Sequence, residues 1–222
     1  LGALSAGFIP VFVSLLRDDE NFKYKANQVA WDLVNNVLNI IALFLFVVCL
    51  LLAVLTPWLV PLITPGFSGE KLHLTIQITR IMFLSPILLG LSGVFGGVLQ
   101  GYKRFLCFSL APVMYNLGII FGAVYLVDIF GLFGLAWGVI IGAMLHLLIQ
   151  VPTVFRLGFL YKPIVCFRNS EFLKIVKLMG PRILGLASTQ FNLIVITIFA
   201  STLAAGSLAI FNLANNLQNF PI

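Results

Sequence analysis

The sequence predicts an all-α, polytopic transmembrane helical bundle of about seven spans, two of them partial. Three observations carry this. Apolar residues make up 61% of the 222 residues and charged residues 9%, against roughly 45–50% and 25% in an average globular chain. So few charges leave too little polar surface to face water. The apolar residues also fall into long runs: 40–55 has no polar group except Cys49, 117–127 is nearly as clean, and 183–205 carries no charge. A bilayer-crossing helix needs about 20 mostly apolar residues. Finally, the basic residues alternate between loops in a way that only a multi-span chain explains.

Taken in order, the first span is 1–16, read as the tail of a helix. The second is 27–63, with Pro57 and Pro61 near its end and Trp58 as an interfacial anchor. The third is 74–100, the fourth 105–127 and the fifth 132–152. The sixth is 172–202, with Pro181 inside, and a seventh starts near Ser207. The first residues lack a basic n-region, so no signal peptide is read there. The chain stops at Phe220-Pro221-Ile222 inside an apolar helical pattern, and it reads as a fragment at both ends.

The loops test this count. Arg17, Lys23 and Lys25 lie in the first loop, Lys103 and Arg104 in the third, and Arg156, Lys162, Arg168, Lys174 and Lys177 in and beside the fifth. The second, fourth and sixth loops hold only Lys71. By the positive-inside rule the odd-numbered loops are cytoplasmic, and the first span runs from outside to inside. One missed helix would scramble the alternation.

The formal charge of +6 does not point to nucleic acid, because the basic residues sit between apolar spans. Cys49, Cys107 and Cys166 are odd in number and show neither disulfide nor zinc spacing. His73 lies in an outside loop, and His146 stands without a carboxylate nearby in sequence, so it reads as structural. Asp18-Asp19-Glu20 is a solvated loop run. No paired carboxylates fit acid–base work. The chain therefore reads as no enzyme, with no cofactor and no metal.

Glycines recur four apart at 93, 97 and 101, at 118 and 122, and at 134, 138 and 142. Such small-xxx-small ladders let helix backbones approach closely in lipid. Polar residues form stripes. At 100° per residue, Gln28, Asp32, Asn35, Asn36 and Asn39 fall within about 100° of arc, and Asn212, Asn215, Asn216 and Asn219 do the same. Arg182, Gly185, Thr189 and Asn192 share a face about 80° wide. Polar groups in a bilayer need the bundle interior or water, so three striped helices point to a wet cavity. Interhelical hydrogen bonding explains the stripes as well, and so does a cytoplasmic extension at the start of the second span. Arg80 lies near the outer end of its span and is placed to snorkel. Arg182 follows Gly180-Pro181 about two turns into its span and reads either as an anchor reaching the cytoplasm or as a cation beside a cavity, where it favours an anionic cargo.

These residues carry a family resemblance. Gly2-Ala3-Leu4-Ser5-Ala6-Gly7-Phe8-Ile9-Pro10 resembles the second-helix motif of the MurJ/MviN family, the lipid II flippases of peptidoglycan synthesis, within the multidrug/oligosaccharidyl-lipid/polysaccharide exporter superfamily. The likeness continues through Thr64-Pro65-Gly66-Phe67, Leu74-Thr75, Arg80-Ile81-Met82-Phe83, and Gly96-Gly97-Val98-Leu99-Gln100 with Arg104-Phe105. Ala111-Pro112-Val113 with Asn116, Gly134-Leu135-Ala136-Trp137-Gly138, and Gln150-Val151-Pro152 follow. Met179-Gly180-Pro181-Arg182-Ile183-Leu184-Gly185 with Gln190, and Phe220-Pro221, complete it.

The resemblance implies that residues 1–165 hold helices 2–6, most of the N-terminal lobe, and that 166–222 start the second lobe with helices 7 and 8. It implies alternating access, with a cationic cavity carrying a lipid-linked anionic cargo of the undecaprenyl-pyrophosphate type from the inner to the outer leaflet. Desolvating a pyrophosphate in hydrocarbon is prohibitive, so such a route needs cations and water. It implies a multi-pass protein of the bacterial inner membrane, with the bilayer and the cell-wall synthesis machinery as partners. The cavity-lining candidates are Ser5, Arg182, Thr189, Gln190, Asn192, Asn212 and Asn216, with Asn116 in addition. Two departures stand out. Asn215-Asn216-Leu217 replaces the family's Asn-Arg-Leu, and Ile196 stands where some members carry a sodium-binding acid. The missing arginine keeps open another polyprenyl-linked polysaccharide precursor as cargo, or a non-transporting membrane scaffold.

Overall fold

The computed structural model describes residues 2–17, 23–204 and 206–218. Leu1, the acidic run Asp18-Asp19-Glu20, Asn219 and the Phe220-Pro221 pair lie outside the described residues. Every regular element among the described residues is helical. Five segments are long and apolar enough to cross a membrane: Gln28–Ile63, Gly69–Gly101, Phe105–Phe130, Phe133–Arg156 and Ser170–Ser201, with a shorter apolar helix at Leu4–Leu16.

The first helix, α1 (Gly2–Arg17), contains Pro10. α2 (Lys23–Ile63) has 41 residues. At 1.5 Å per residue that is about 60 Å, twice the ~30 Å hydrocarbon core, so part of α2 extends beyond the bilayer. The third predicted span divides into α3 (Gly69–Met82) and α4 (Leu84–Gly101) around Phe83. Pro86 explains the break, since it has no N–H for the Met82 carbonyl and its ring crowds that turn. The fourth comprises α5 (Phe105–Phe121), a π-helical turn Gly122–Leu126 and α6 (Val127–Phe130). The fifth is α7 (Phe133–Leu148), followed after a turn by α8 (Val151–Arg156), where Pro152 breaks the ladder. α9 (Ser170–Ser201) runs through Pro181. α10 spans Ser207–Gln218.

The glycine ladders do what the sequence requires. A side chain on Gly118 would meet the backbone of Gly142, and one on Gly122 would meet that of Gly138. α5 and α7 therefore pack backbone to backbone. On α4 the glycines serve a different partner. A Cβ on Gly97 would lie 2.6 Å from Phe8 Cδ1, and one on Gly101 2.8 Å from Phe12 Cδ1. The two rings of α1 stack 5.3 Å apart and fill hollows that the missing side chains leave. The core continues from Phe12 through Tyr102, Trp31 and Phe159, with ring centroids 5.7–5.8 Å apart between successive members.

The polar stripe on α2 holds a loop. The segment after α8 leaves the helical ladder at Gly158, which has φ +99°, and passes along α2 without regular structure. The Asn35 amide donates to the Leu160 carbonyl at 2.9 Å and accepts from the Lys162 N–H at 2.9 Å. Asn36 donates to the Cys166 carbonyl at 2.9 Å and accepts from the Cys166 N–H at 2.6 Å. Asn39 donates to the carbonyls of Lys162 and Ile164 at 2.8 and 3.0 Å. Asp32 accepts from Lys162 Nζ at 2.7 Å. Each carboxamide offers a donor and an acceptor, as a neighbouring strand would. This satisfies backbone groups of a loop that makes no ladder of its own. Of the three stripes, that on α2 is thus neither cavity wall nor helix–helix contact.

Candidate functional site

The N-terminal half of α9 is fixed first. Asn169 caps it, its side-chain oxygen accepting from the N–H groups of Glu171 and Phe172 at 2.9 and 3.1 Å. α1 then packs along this half. Gly7 makes the close approach possible, because a Cβ there would lie 2.7 Å from Met179 Cγ and 2.8 Å from the Ile175 carbonyl. One turn further along α9, the Arg182 guanidinium reaches the start of α1. A Cβ on Gly2 would sit 3.4 Å from Arg182 Nη2. Ser5, three residues on, shares that side of α1 and is half-buried. Arg182 is exposed and takes part in no ion pair among the described residues.

Beyond Arg182, α9 has few neighbours among the described residues. Every residue from 181 to 192 is exposed, including Thr189, Gln190 and Asn192. The helix regains contact at its outer end. There the turn after α2 fits against it, with the Gly66 N–H 3.4 Å from Ser201 Oγ and the Gly66 Cα set over the Ser201 carbonyl. α9 is therefore held at both ends and bare between them. α10 packs against α9 and keeps Asn212 and Asn216 exposed, with Asn215 half-buried. The structure thus sets Arg182 against the start of α1, one turn from Ser5, and leaves the other α9 and α10 candidates exposed on adjoining helices. Asn116 stands apart. It is exposed on α5, which packs on α7 and α4.

A cavity of about 530 Å³ lies between α2 and α9, walled by Val37, Phe44, Ile175, Met179 and Ile183 among others. Its lining is apolar and offers no partner to a charged headgroup. Arg182 is not among its lining residues.

Two polar features escaped the sequence reading. Arg80 Nε donates to the Ala53 carbonyl at 3.1 Å. Ala53 lies four residues before Pro57, so the proline deprives that carbonyl of its helical partner, and Arg80 replaces it. The signal was the i, i+4 spacing to Pro57. The second is a network inside the first five spans. Gln150 Nε2 donates to Ser92 Oγ at 2.7 Å, and Ser92 Oγ lies 2.6 Å from His146 Nδ1. His146 is therefore structural, as its isolation in sequence implied.

The family described as "Lipid II flippase MurJ" matches residues 2–222. The chain is similar to the "Probable lipid II flippase MurJ" of Buchnera aphidicola subsp. Acyrthosiphon pisum, at 33% identity over all of this chain and 43% of that relative. It is similar also to the "Lipid II flippase MurJ" of Burkholderia cenocepacia, at 28% identity over 99% of this chain and 43% of that relative. A "Probable lipid II flippase MurJ" of Borreliella burgdorferi is 26% identical over the whole chain and 42% of its own length. The chain spans somewhat less than half the length of these curated relatives. With a family match over nearly every residue, the chain belongs to the lipid II flippase MurJ family.

Proposed function

We propose that this chain is the part of a lipid II flippase that holds most of the first lobe and the start of the second, and that it lines the headgroup route. The reading rests on one observation beyond family membership. Arg182 stands at the α1–α9 contact, and Thr189, Gln190 and Asn192 of α9 and Asn212 and Asn216 of the adjoining α10 are exposed polar residues. Such groups are expensive against lipid tails and must meet water or protein. A water-filled route beside a cation answers that need, and a pyrophosphate is the anion that suits a guanidinium fork.

In this reading the lobes rock about the route in alternating access, the headgroup passes from the inner to the outer leaflet, and the polyprenyl tail stays in lipid. The protein works as a transporter and not as an enzyme, in the bacterial inner membrane, beside the cell-wall synthesis machinery. Asn216, in place of the family's arginine, favours as a second reading a different polyprenyl-linked sugar as cargo. Complementation separates the two. The full-length protein expressed in cells depleted of their own lipid II flippase restores wall synthesis under the first reading. Good membrane expression without rescue supports the second.

A further inference from the structure

On the cytoplasmic side, away from α9 and α10, a cavity of about 340 Å³ opens between the start of α5 and the end of α8. Arg104, Thr153 and Arg156 supply its polar wall, and Leu106 and Leu157 the apolar one. Neither guanidinium has a hydrogen-bond or ion-pair partner among the described residues, whose ion pairs are Lys162–Asp32 and Lys174–Glu171. Thr153 Oγ1 lies 3.1 Å from Cys107 Sγ, and either can donate; with the Cys107 S–H donating, the Thr153 hydroxyl hydrogen is left for a ligand.

The backbone presents the first arginine deliberately. α4 ends with the Arg104 N–H on the Leu99 carbonyl at 2.7 Å and the Lys103 N–H on the Gln100 carbonyl at 3.0 Å, the paired bonds of a Schellman cap. The left-handed position of that cap usually takes glycine. Here it holds Lys103, with φ +58°, at a conformational penalty of about 1 kcal/mol or more. The strained turn thus carries a third cation, and it leads directly into Arg104. Arg104 occupies the N-cap of α5 without making a side-chain cap, so the first-turn N–H groups and the helix dipole add to the positive field.

We propose that this pocket binds a phosphate group, with Arg104 and Arg156 as a two-sided guanidinium clamp and Thr153 as a hydroxyl donor. The apolar rim indicates where the phosphate comes from. Leu106 is 75% exposed and Phe155 50% exposed beside the arginines, so the site sits where acyl chains meet headgroups. A phosphate there belongs to an anionic phospholipid of the inner leaflet, with its chains along Leu106. This site is separate from the transport route and does not depend on what that route carries.

Native mass spectrometry of the full-length protein titrated with phosphatidylglycerol tests the site. Arg104→Gln and Arg156→Gln each weaken binding about fivefold, from roughly 1 kcal/mol per basic residue, and the double variant by about the product. Lys177→Gln, on the same side of the membrane but outside the pocket, leaves binding unchanged. Inorganic phosphate in large excess fails to displace the lipid if the chains contribute. Displacement keeps the pocket as a phosphate site but makes its ligand a free anion. A double variant that binds phosphatidylglycerol like the unaltered protein overturns the proposal.

Discussion

Asn36 makes two hydrogen bonds to one residue, closing a ring with the backbone of Cys166, and it is 1% exposed. Replacing it by alanine removes both bonds to Cys166, an exposed residue, at the net worth of a hydrogen bond, about 0.5–1.5 kcal/mol each. Asn36→Ala is therefore expected to lower the thermal midpoint and to raise the rate at which a maleimide labels Cys166; an unchanged midpoint and labelling rate contradict the clamp. Arg80 gives a sharper case. Arg80→Gln leaves the Ala53 carbonyl unpaired, whereas in a Pro57→Ala background the restored N–H pairs it. The cycle of the two changes should show a coupling of about 1 kcal/mol, measured by unfolding in detergent. Strict additivity would mean that Arg80 does not serve the proline break. The sequence displayed both features by half. The Asn stripe was visible as a face, but its partner is a loop without periodicity. Arg80 was visible as a cation near a span end, but its acceptor is a backbone carbonyl, and every residue has one.

At the scale of elements, the α5–α7 pair depends on absent side chains. Gly142→Leu would drive a side chain into the Tyr115 carbonyl, and overpacking of this kind typically costs 1–3 kcal/mol. We expect a lower thermal midpoint for Gly142→Leu and a small effect for Gly180→Ala, since Gly180 has open space around it and lies outside the ladders. Equal effects at the two positions would remove the ladder from the account. The long spans were legible because hydropathy and charge alternation report them independently. The breaks were less so. Pro86 and Pro152 each divide an apolar run that a hydropathy window crosses unchanged, and the π-helical turn at Gly122–Leu126 has no composition of its own. α9 was legible as a stripe from Arg182 to Asn192, yet which neighbours meet it, Gly2 and Gly7 of α1 and the turn at Gly66, is not encoded in one helix's sequence.

At the scale of the whole molecule, α9 ties the two parts implied by the family resemblance together: it lies in the second, rests on α1 over its N-terminal half, and touches the 64–67 turn at its C-terminal end. Between those contacts it presents the polar face that the proposed route requires. The appearance of lipid II on the outer leaflet tests this most directly, in cells depleted of their own flippase and expressing the full-length protein either unaltered or as Arg182→Gln. The account predicts that the unaltered protein restores outer-leaflet lipid II. Arg182→Gln, present in the membrane at equal amount, should lower the rate at least tenfold, the loss of about 1.5–3 kcal/mol for a hydrogen bond to a charged group. Restoration by Arg182→Gln at the unaltered rate would contradict it.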